Sequence, residues 1–289
     1  MLLGEYSIIH KSKALAIPFE RFNGAFQKSK DNPDSKIIES NRQLFEYANY
    51  LAQNNPAAEL GFEIDVKGFI ADLNDGLYFE SNIPQGYGVG SSGALIANLY
   101  DRYANVTDAS LIKNQLAWLE NYFHGKSSGI DPLVAYLNKP LLFEEDRFTF
   151  VDQPQFDQNV FSCLFLIDTQ RVSKTAPLVN IYLSKVQKGT LNPNEYAGLV
   201  NNAIDSLYIS EINRFKSSIR QISTWQLENL REMIPSSVIK TWEQGLEEEN
   251  WYLKLCGSGG GGFIFAFVVN FEPFNKTSVV QSLPVLKVF

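Results

Sequence analysis

Six residues, Gly257-Ser258-Gly259-Gly260-Gly261-Gly262, stand directly in front of the apolar run Phe263 to Val269. So much glycine cannot sit inside a helix or strand without a large loss of conformational entropy, so the chain must be a loop here that feeds a strand. The run that follows shows no polar alternation, as expected of a strand buried on both faces. Four consecutive glycines exceed what a turn needs, which points to close approach of the backbone to another group. A flexible hairpin turn is the alternative.

A second glycine-rich segment, Pro84-Gln85-Gly86-Tyr87-Gly88-Val89-Gly90-Ser91-Ser92-Gly93, joins an expected strand to an expected helix. Gly86, Gly88 and Gly90 let backbone N–H groups approach an anion. The helix that starts near Ser91 adds its unpaired N–H groups and the positive end of its dipole. The hydroxyls of Ser91 and Ser92 suit phosphate oxygens or Mg²⁺. No Lys-Ser or Lys-Thr pair follows, and the spacing departs from G-x-G-x-x-G, so neither a Walker A loop nor a dinucleotide fingerprint is present. An ordinary glycine-rich turn is the competing reading.

Between these segments Glu120 and His124 lie one helical turn apart, followed by Gly125, Ser127, Ser128, Gly129 and then Asp131. A loop that returns a second carboxylate near the first suits phosphoryl transfer. One carboxylate can hold Mg²⁺, and the other can accept or orient the proton of an attacking hydroxyl. The structural alternative makes Glu120 a solvated helix residue, His124 a C-terminal residue favoured by the dipole, and Asp131 the N-cap of a helix starting at Pro132.

The rest of the chain reads as mixed α and β. Short strands are expected over 7–9, 14–17, 62–66, 77–82 and 161–167, and helices over 37–53, 94–103 and 111–123, the last capped by Thr107 or Asp108 and stopped at Gly125. Helical patterns dominate 177–244. Without regular βα alternation this is an α+β architecture. With 289 residues, 45% of them hydrophobic, the chain can bury a sizeable core. Its net charge of −7 and lack of a Lys/Arg block argue against nucleic acid and anionic membranes as partners. No leader pattern and no membrane-length apolar run is read in it. Two cysteines and two histidines offer no zinc spacing, and the expectation is a reduced, cytoplasmic protein. Trp118, Trp225, Trp242 and Trp251 are expected in the core or at a domain interface, and Glu247–Glu249 at a solvated helix end.

In this order, the segments GEYSIIHKSKALA, IPQGYGVGSSGAL, FHGKSSGID and KLCGSGGGGF resemble the signature regions of the GHMP kinases, and the resemblance spans nearly the whole chain. It implies a two-domain fold: an N-terminal ribosomal-protein-S5-like domain over 1–151 and a C-terminal ferredoxin-like domain over 152–289. It also implies ATP and Mg²⁺ as cofactors. The segment 124–131 is similar to the HGxPSGxD stretch of mevalonate kinases, implying a small hydroxy acid such as mevalonate as acceptor. By the same resemblance Asp131 is catalytic and Ser92 and Glu120 bind Mg²⁺. Gly86, Gly88, Gly90, Ser91, Ser92, Gly259 and Gly260 bind the nucleotide, and Glu5, His124 and Thr175 lie at the substrate. Dimerisation is a further family expectation.

Ser127 stands where the resemblance expects proline, and Tyr6 where mevalonate kinases carry histidine. Gly-Glu-Tyr and Gly93 are more typical of phosphomevalonate kinases. A P-x-K element is expected upstream of Gly4, and Met1 is three residues before it. Alternatives are therefore phosphomevalonate kinase, the related diphosphomevalonate decarboxylase, and a silent binding protein on the same fold.

Overall fold

The computed structural model describes residues 1–29, 33–54, 56, 58–145, 147–154 and 161–288. Its strands are β1 (Ala14–Ala16), β2 (Gly24–Lys28), β3 (Phe62–Ile64), β4 (Leu77–Ser81), β5 (Ala104–Val106), β6 (Leu141–Glu144), β7 (Arg147–Phe150), β8 (Cys163–Asp168), β9 (Trp251–Leu255), β10 (Phe263–Val268) and β11 (Val285–Lys287). Its helices are α1 (Ser35–Gln53), α2 (Val66–Asn74), α3 (Ser91–Tyr103), α4 (Ile112–His124), α5 (Ile130–Leu137), α6 (Thr175–Gln187), α7 (Pro193–Tyr208), α8 (Ile212–Asn229), α9 (Ser236–Glu248), α10 (Phe271–Asn275) and α11 (Ser278–Ser282). None of them is long and apolar enough to cross a membrane.

Two compact units emerge. One comprises Met1–Ile17, Gln85–Val89 and Lys139–Phe289, the other Pro18–Pro84 and Gly90–Asn138. Compactness thus groups the first strand and part of the 84–93 segment with the C-terminal half.

The first unit is built on an antiparallel sheet of order β11-β8-β10-β9. β10 lies between β8 and β9, and all its residues are buried, which explains its unbroken apolar run. α8 and α9 pack on β9. Trp242 and Trp251 are fully buried, and their indole N–H groups donate to the carbonyls of Ser223 (3.1 Å) and Thr241 (2.8 Å). Tyr196 stacks on the buried Trp225 with ring centroids 4.2 Å apart. Such a pair adds about 0.5–1.5 kcal/mol beyond its buried area. A second sheet, β1-β6-β7, belongs to the same unit.

In the other unit β2 pairs with β4 and β3 with β5. α1 forms because Asp34 caps it, accepting from the N–H groups of Lys36 and Ile37 at 2.9 Å, and because Leu44, Tyr47, Ala48 and Leu51 recur on one face. Tyr47 then donates its hydroxyl to Leu119 O at 2.8 Å, tying α1 to α4. α3, α4 and α5 pack on one another.

Three expectations change. Residues 7–10 form a 3₁₀ turn rather than a strand. It starts at Tyr6, whose φ of 64° no strand can continue. Val66, expected at the end of a strand, instead opens helix α2, capped by Asp65 through the N–H of Gly68 at 2.9 Å. Trp118 is only half-buried and packs edge-on against Phe62. Glu247–Glu249 are exposed at the end of α9 as expected.

Candidate active site

Within the second unit the chemistry gathers where α3, α4 and α5 meet. Gly90, in a left-handed conformation (φ 77°), stands at the N-cap of α3. Among the described residues no side chain caps this helix start, which leaves its first N–H groups available, and Ser91 and Ser92 open the helix. Ser92 donates its hydroxyl to Glu120 Oε1 at 2.8 Å. The Ser92 hydroxyl also lies 2.9 Å from His124 Nε2. Ser92 has a single proton, so while Glu120 is ionised it is His124 Nε2 that donates to Ser92 Oγ. Ser127 donates its hydroxyl to Glu120 Oε2. The lone pairs of both Glu120 oxygens are therefore aimed by hydroxyls from different elements.

Asp131 lies in the first turn of α5, and the N-cap position belongs to Gly129 (φ 72°). The capping role considered for Asp131 is thus filled by a residue that needs no side chain. Gly93 explains how α3 comes so close to α5. A Cβ there would fall 2.8 Å from the Asp131 carbonyl carbon and from Pro132 N. A Cβ at Gly90 would meet the Asp131 side chain at 3.6 Å, which places the carboxylate beside the start of α3.

Glu120 is 4% exposed, so the reading of it as a solvated helix residue is corrected. Its spacing in α4 turns it inward with Leu116 and Leu119. Burial, with the charge of Asp131 adding to it, raises the Glu120 carboxyl to about 7, against the opposing hydrogen bonds from Ser127 and Ser92. Desolvation lowers the pKa of His124, opposed by Asp131.

Between pH 4.5 and 7 the folded chain therefore keeps a proton on Glu120 that the unfolded chain releases, so stability falls as pH rises through that window. In the presence of a chelator, Glu120→Gln is expected to stabilise the protein by about 1–3 kcal/mol at pH 8 and to change little at pH 5. Urea unfolding at the two pH values checks this, and equal effects at both would contradict it.

In the first unit the two glycine segments meet. A Cβ on Gly88 (φ 74°) would fall 2.7 Å from Cys256 O, and one on Gly262 (φ 63°) would fall 2.4 Å from Tyr87 Cα. Phe263 N donates to Tyr87 O at 3.3 Å. Only glycine allows backbone this close on both sides. Gly260, expected at the nucleotide, donates its N–H to Met233 O at 2.6 Å, and Gly262 donates to Arg171 O at 2.6 Å. Those two N–H groups thus shape the loop. Gly259 (φ 76°) approaches Met233 O, where a Cβ would come within 2.8 Å, and Gly86 (φ 74°) lies beside Val172 and Ser173. Thr175, at the start of α6, is exposed and lies 3.4 Å from the Ser258 hydroxyl that donates to it. Tyr6 donates to Ser258 O at 2.6 Å, so Tyr6 and Thr175 both hold the 257–262 loop.

Glu5 is buried, and its Oε2 accepts from Lys254 Nζ at 2.6 Å. Its Oε1 has no hydrogen-bond partner among the described residues. Lys254 was not singled out from sequence. Its only signal is a lone lysine inside the apolar run Trp251–Leu255, every residue of which is buried. Of the cations near the motifs, Lys13 is engaged by Asp205 (2.6 Å) and Glu144 (3.6 Å). Lys11, Lys126 and Arg171 are exposed and form no ion pair among the described residues.

Residues 45–139 match the family of GHMP kinases N terminal domain. The sequence matches no curated protein. Among solved structures the chain is similar to L. major mevalonate kinase in complex with R-mevalonate, at 15% identity and a TM-score of 0.61, with 99% of this chain and 91% of that chain covered. It is also similar to Streptococcus pneumoniae phosphomevalonate kinase in complex with phosphomevalonate and AMPPNP (15% identity, TM-score 0.57, 99% and 96% covered). A third is Lactococcus lactis galactokinase complexed with galactose (14% identity, TM-score 0.58, 99% and 89% covered). Residues 45–139 thus carry the match to the GHMP kinases N terminal domain, and the chain as a whole shares the fold of these solved kinases.

Proposed function

We propose that the chain is an ATP-dependent small-molecule kinase that phosphorylates an alcohol, with the C5 hydroxyl of mevalonate as the acceptor. The observation that carries this reading is the convergence of Ser92, Glu120 and Asp131 at the start of α3, one hydroxyl and two carboxylates on rigid helices.

The donor set suits Mg²⁺. Ser92 Oγ and the Glu120 carboxylate are hard oxygen ligands, and the charge of Asp131 adds to the pull on a cation. Among the described residues no three or more His, Cys, Asp or Glu side chains form a self-sufficient metal site. Mg²⁺ commonly completes its shell with phosphate oxygens and water, so Ser92 and Glu120 would hold it together with a nucleotide. When bound, the ion neutralises charge on the phosphates.

Asp131 accepts the proton of the attacking hydroxyl as the new oxygen–phosphorus bond forms and the bond to the β–γ bridging oxygen breaks. Ser91, Ser92 and the free N–H groups at the start of α3 bind phosphate oxygens. In the other unit Gly86, Gly88, Gly259 and Gly260 are proposed, from the resemblance, as nucleotide contacts, with the Gly260 N–H already given to Met233 O. From the resemblance, Glu5, Thr175 and His124 are proposed to contact the acceptor.

The mevalonate assignment rests on the His124–Asp131 segment and on the likeness to mevalonate kinases. ATP-dependent phosphorylation, measured on mevalonate, 5-phosphomevalonate and galactose in parallel with Mg²⁺, decides it. Mevalonate is expected to give the highest kcat/KM. Preference for 5-phosphomevalonate would move the reading to phosphomevalonate kinase, and CO₂ release to the decarboxylase. Nucleotide binding without turnover of any acceptor would leave a binding protein on the same fold.

A further inference from the structure

Ser127 stands where the HGxPSGxD pattern has proline, and it makes three bonds that no proline at this position could make together. Its backbone N–H donates to Asn121 Oδ1 at 2.7 Å. Its hydroxyl donates to Glu120 Oε2 and accepts from Gly129 N at 2.9 Å. Proline has neither the N–H nor the hydroxyl. The first two bonds end on consecutive residues of the last turns of α4, and the third ties the N-cap residue of α5 to the same hydroxyl. The loop between the two carboxylates is therefore fastened by hydrogen bonds where a ring would have stiffened it.

These bonds also act on Glu120. Ser92 donates to Oε1 and Ser127 to Oε2, so the carboxylate cannot turn without losing a hydroxyl partner. A carboxylate is far better held by charge-assisted bonds than by packing alone. With Oε2 occupied, Oε1 is the oxygen that faces Ser92 and the start of α3.

Resting on the kinase reading above, we propose that Ser127 is a positioning residue that fixes the Glu120 carboxylate so that Oε1, next to Ser92 Oγ, is presented to Mg²⁺. Ser127 itself touches neither metal nor substrate. Partners of metal-binding carboxylates characteristically change metal affinity by about 10-fold or more when removed.

The test is equilibrium binding of AMPPNP to the full chain, titrated with Mg²⁺ and repeated in a chelator. In Ser127→Ala the Mg²⁺ concentration giving half of the metal-dependent gain in affinity is expected to rise about 10-fold, while nucleotide affinity in the chelator stays within about twofold. Ser127→Thr, which keeps the hydroxyl and the N–H, should restore the wild-type Mg²⁺ dependence. Ser127→Pro, although it is the family residue, should behave like Ser127→Ala.

An unaltered Mg²⁺ dependence in Ser127→Ala overturns the proposal. So does a loss of nucleotide affinity that is equal with and without Mg²⁺, because that is what a general loosening of the loop would produce. Full wild-type behaviour in Ser127→Pro also overturns it, since rigidity of the loop would then suffice. If the wild-type chain itself gains no affinity from Mg²⁺, the kinase reading falls and takes this inference with it. Failure confined to the variants leaves the kinase reading standing.

Discussion

Asp131→Asn is expected to lower kcat for phosphoryl transfer by about 10²–10⁴-fold, the range typical of a positioned general base, with the affinity for Mg²⁺-nucleotide changed by less than about threefold. Asparagine has nearly the same shape and can still accept a hydrogen bond, but it cannot take the proton of an attacking alcohol. Asp131 leads into α5 just after the N-cap Gly129, and Gly93 lets α3 pack against its backbone. The substitution should therefore leave the helices in place. Removing a negative charge beside Glu120 should also reduce the upward push on the Glu120 carboxyl, which is a separate signature of a folded variant. Turnover within threefold of wild type would show that the acceptor proton leaves by another route and that Asp131 serves binding or structure.

The largest stability effect should come from the buried pair Glu5–Lys254. The two side chains are 4% and 1% exposed, with Nζ 2.6 Å from Oε2. Lys254 Nζ also donates to Leu255 O at 2.7 Å and lies 5.2 Å from the centroid of the Phe265 ring. Replacing Lys254 by methionine keeps the bulk in β9 but leaves the Glu5 carboxylate buried and alone, with Oε1 already lacking a partner. The expected cost is about 3–5 kcal/mol, a large share of the roughly 5–15 kcal/mol that stabilises a typical domain. Glu5→Gln combined with Lys254→Met should recover most of that loss, because both charges then leave the interior together. Urea unfolding of the single and double variants measures it. Additive losses in the double variant would mean that the two groups are not coupled and that the carboxylate has another partner in solution.

This pair also changes how Glu5 is read. The family resemblance implies a substrate contact, whereas the structure engages one of its oxygens with Lys254 and leaves the other unpartnered. That second oxygen is buried, so the structure itself supports the ion pair and not a substrate contact. Tyr6 next to it keeps a positive φ of 64° in a non-glycine residue, a conformation that costs energy and is retained where surrounding bonds enforce it. Its hydrogen bond to Ser258 O is one of those bonds.

Local sequence determined much of this protein. The unbroken apolar run after Gly262 had to be a central strand, because no face of it could be given to water. The helices over 37–53, 94–103 and 111–123 were legible from apolar spacing, and the end of the last from Gly125, because periodicity and stops are local properties of the backbone, whereas Asp108 caps the short 3₁₀ turn before α4 and not α4 itself. The candidate site residues Ser92, Glu120, His124 and Asp131 could be named from their order in the chain. Tertiary structure alone decided what surrounds them. That Glu120 is buried depends on which face of α4 meets α3 and α5, and the same packing makes Gly93 a requirement of helix approach. That Ser127 bonds Glu120, and that Lys254 meets Glu5 across 249 positions of sequence, are contacts that no periodicity encodes. Spacing along a chain constrains neighbours within a helix turn or a strand. Partners farther apart are chosen by the way whole elements pack, where the burial of a charge forces it to find its opposite.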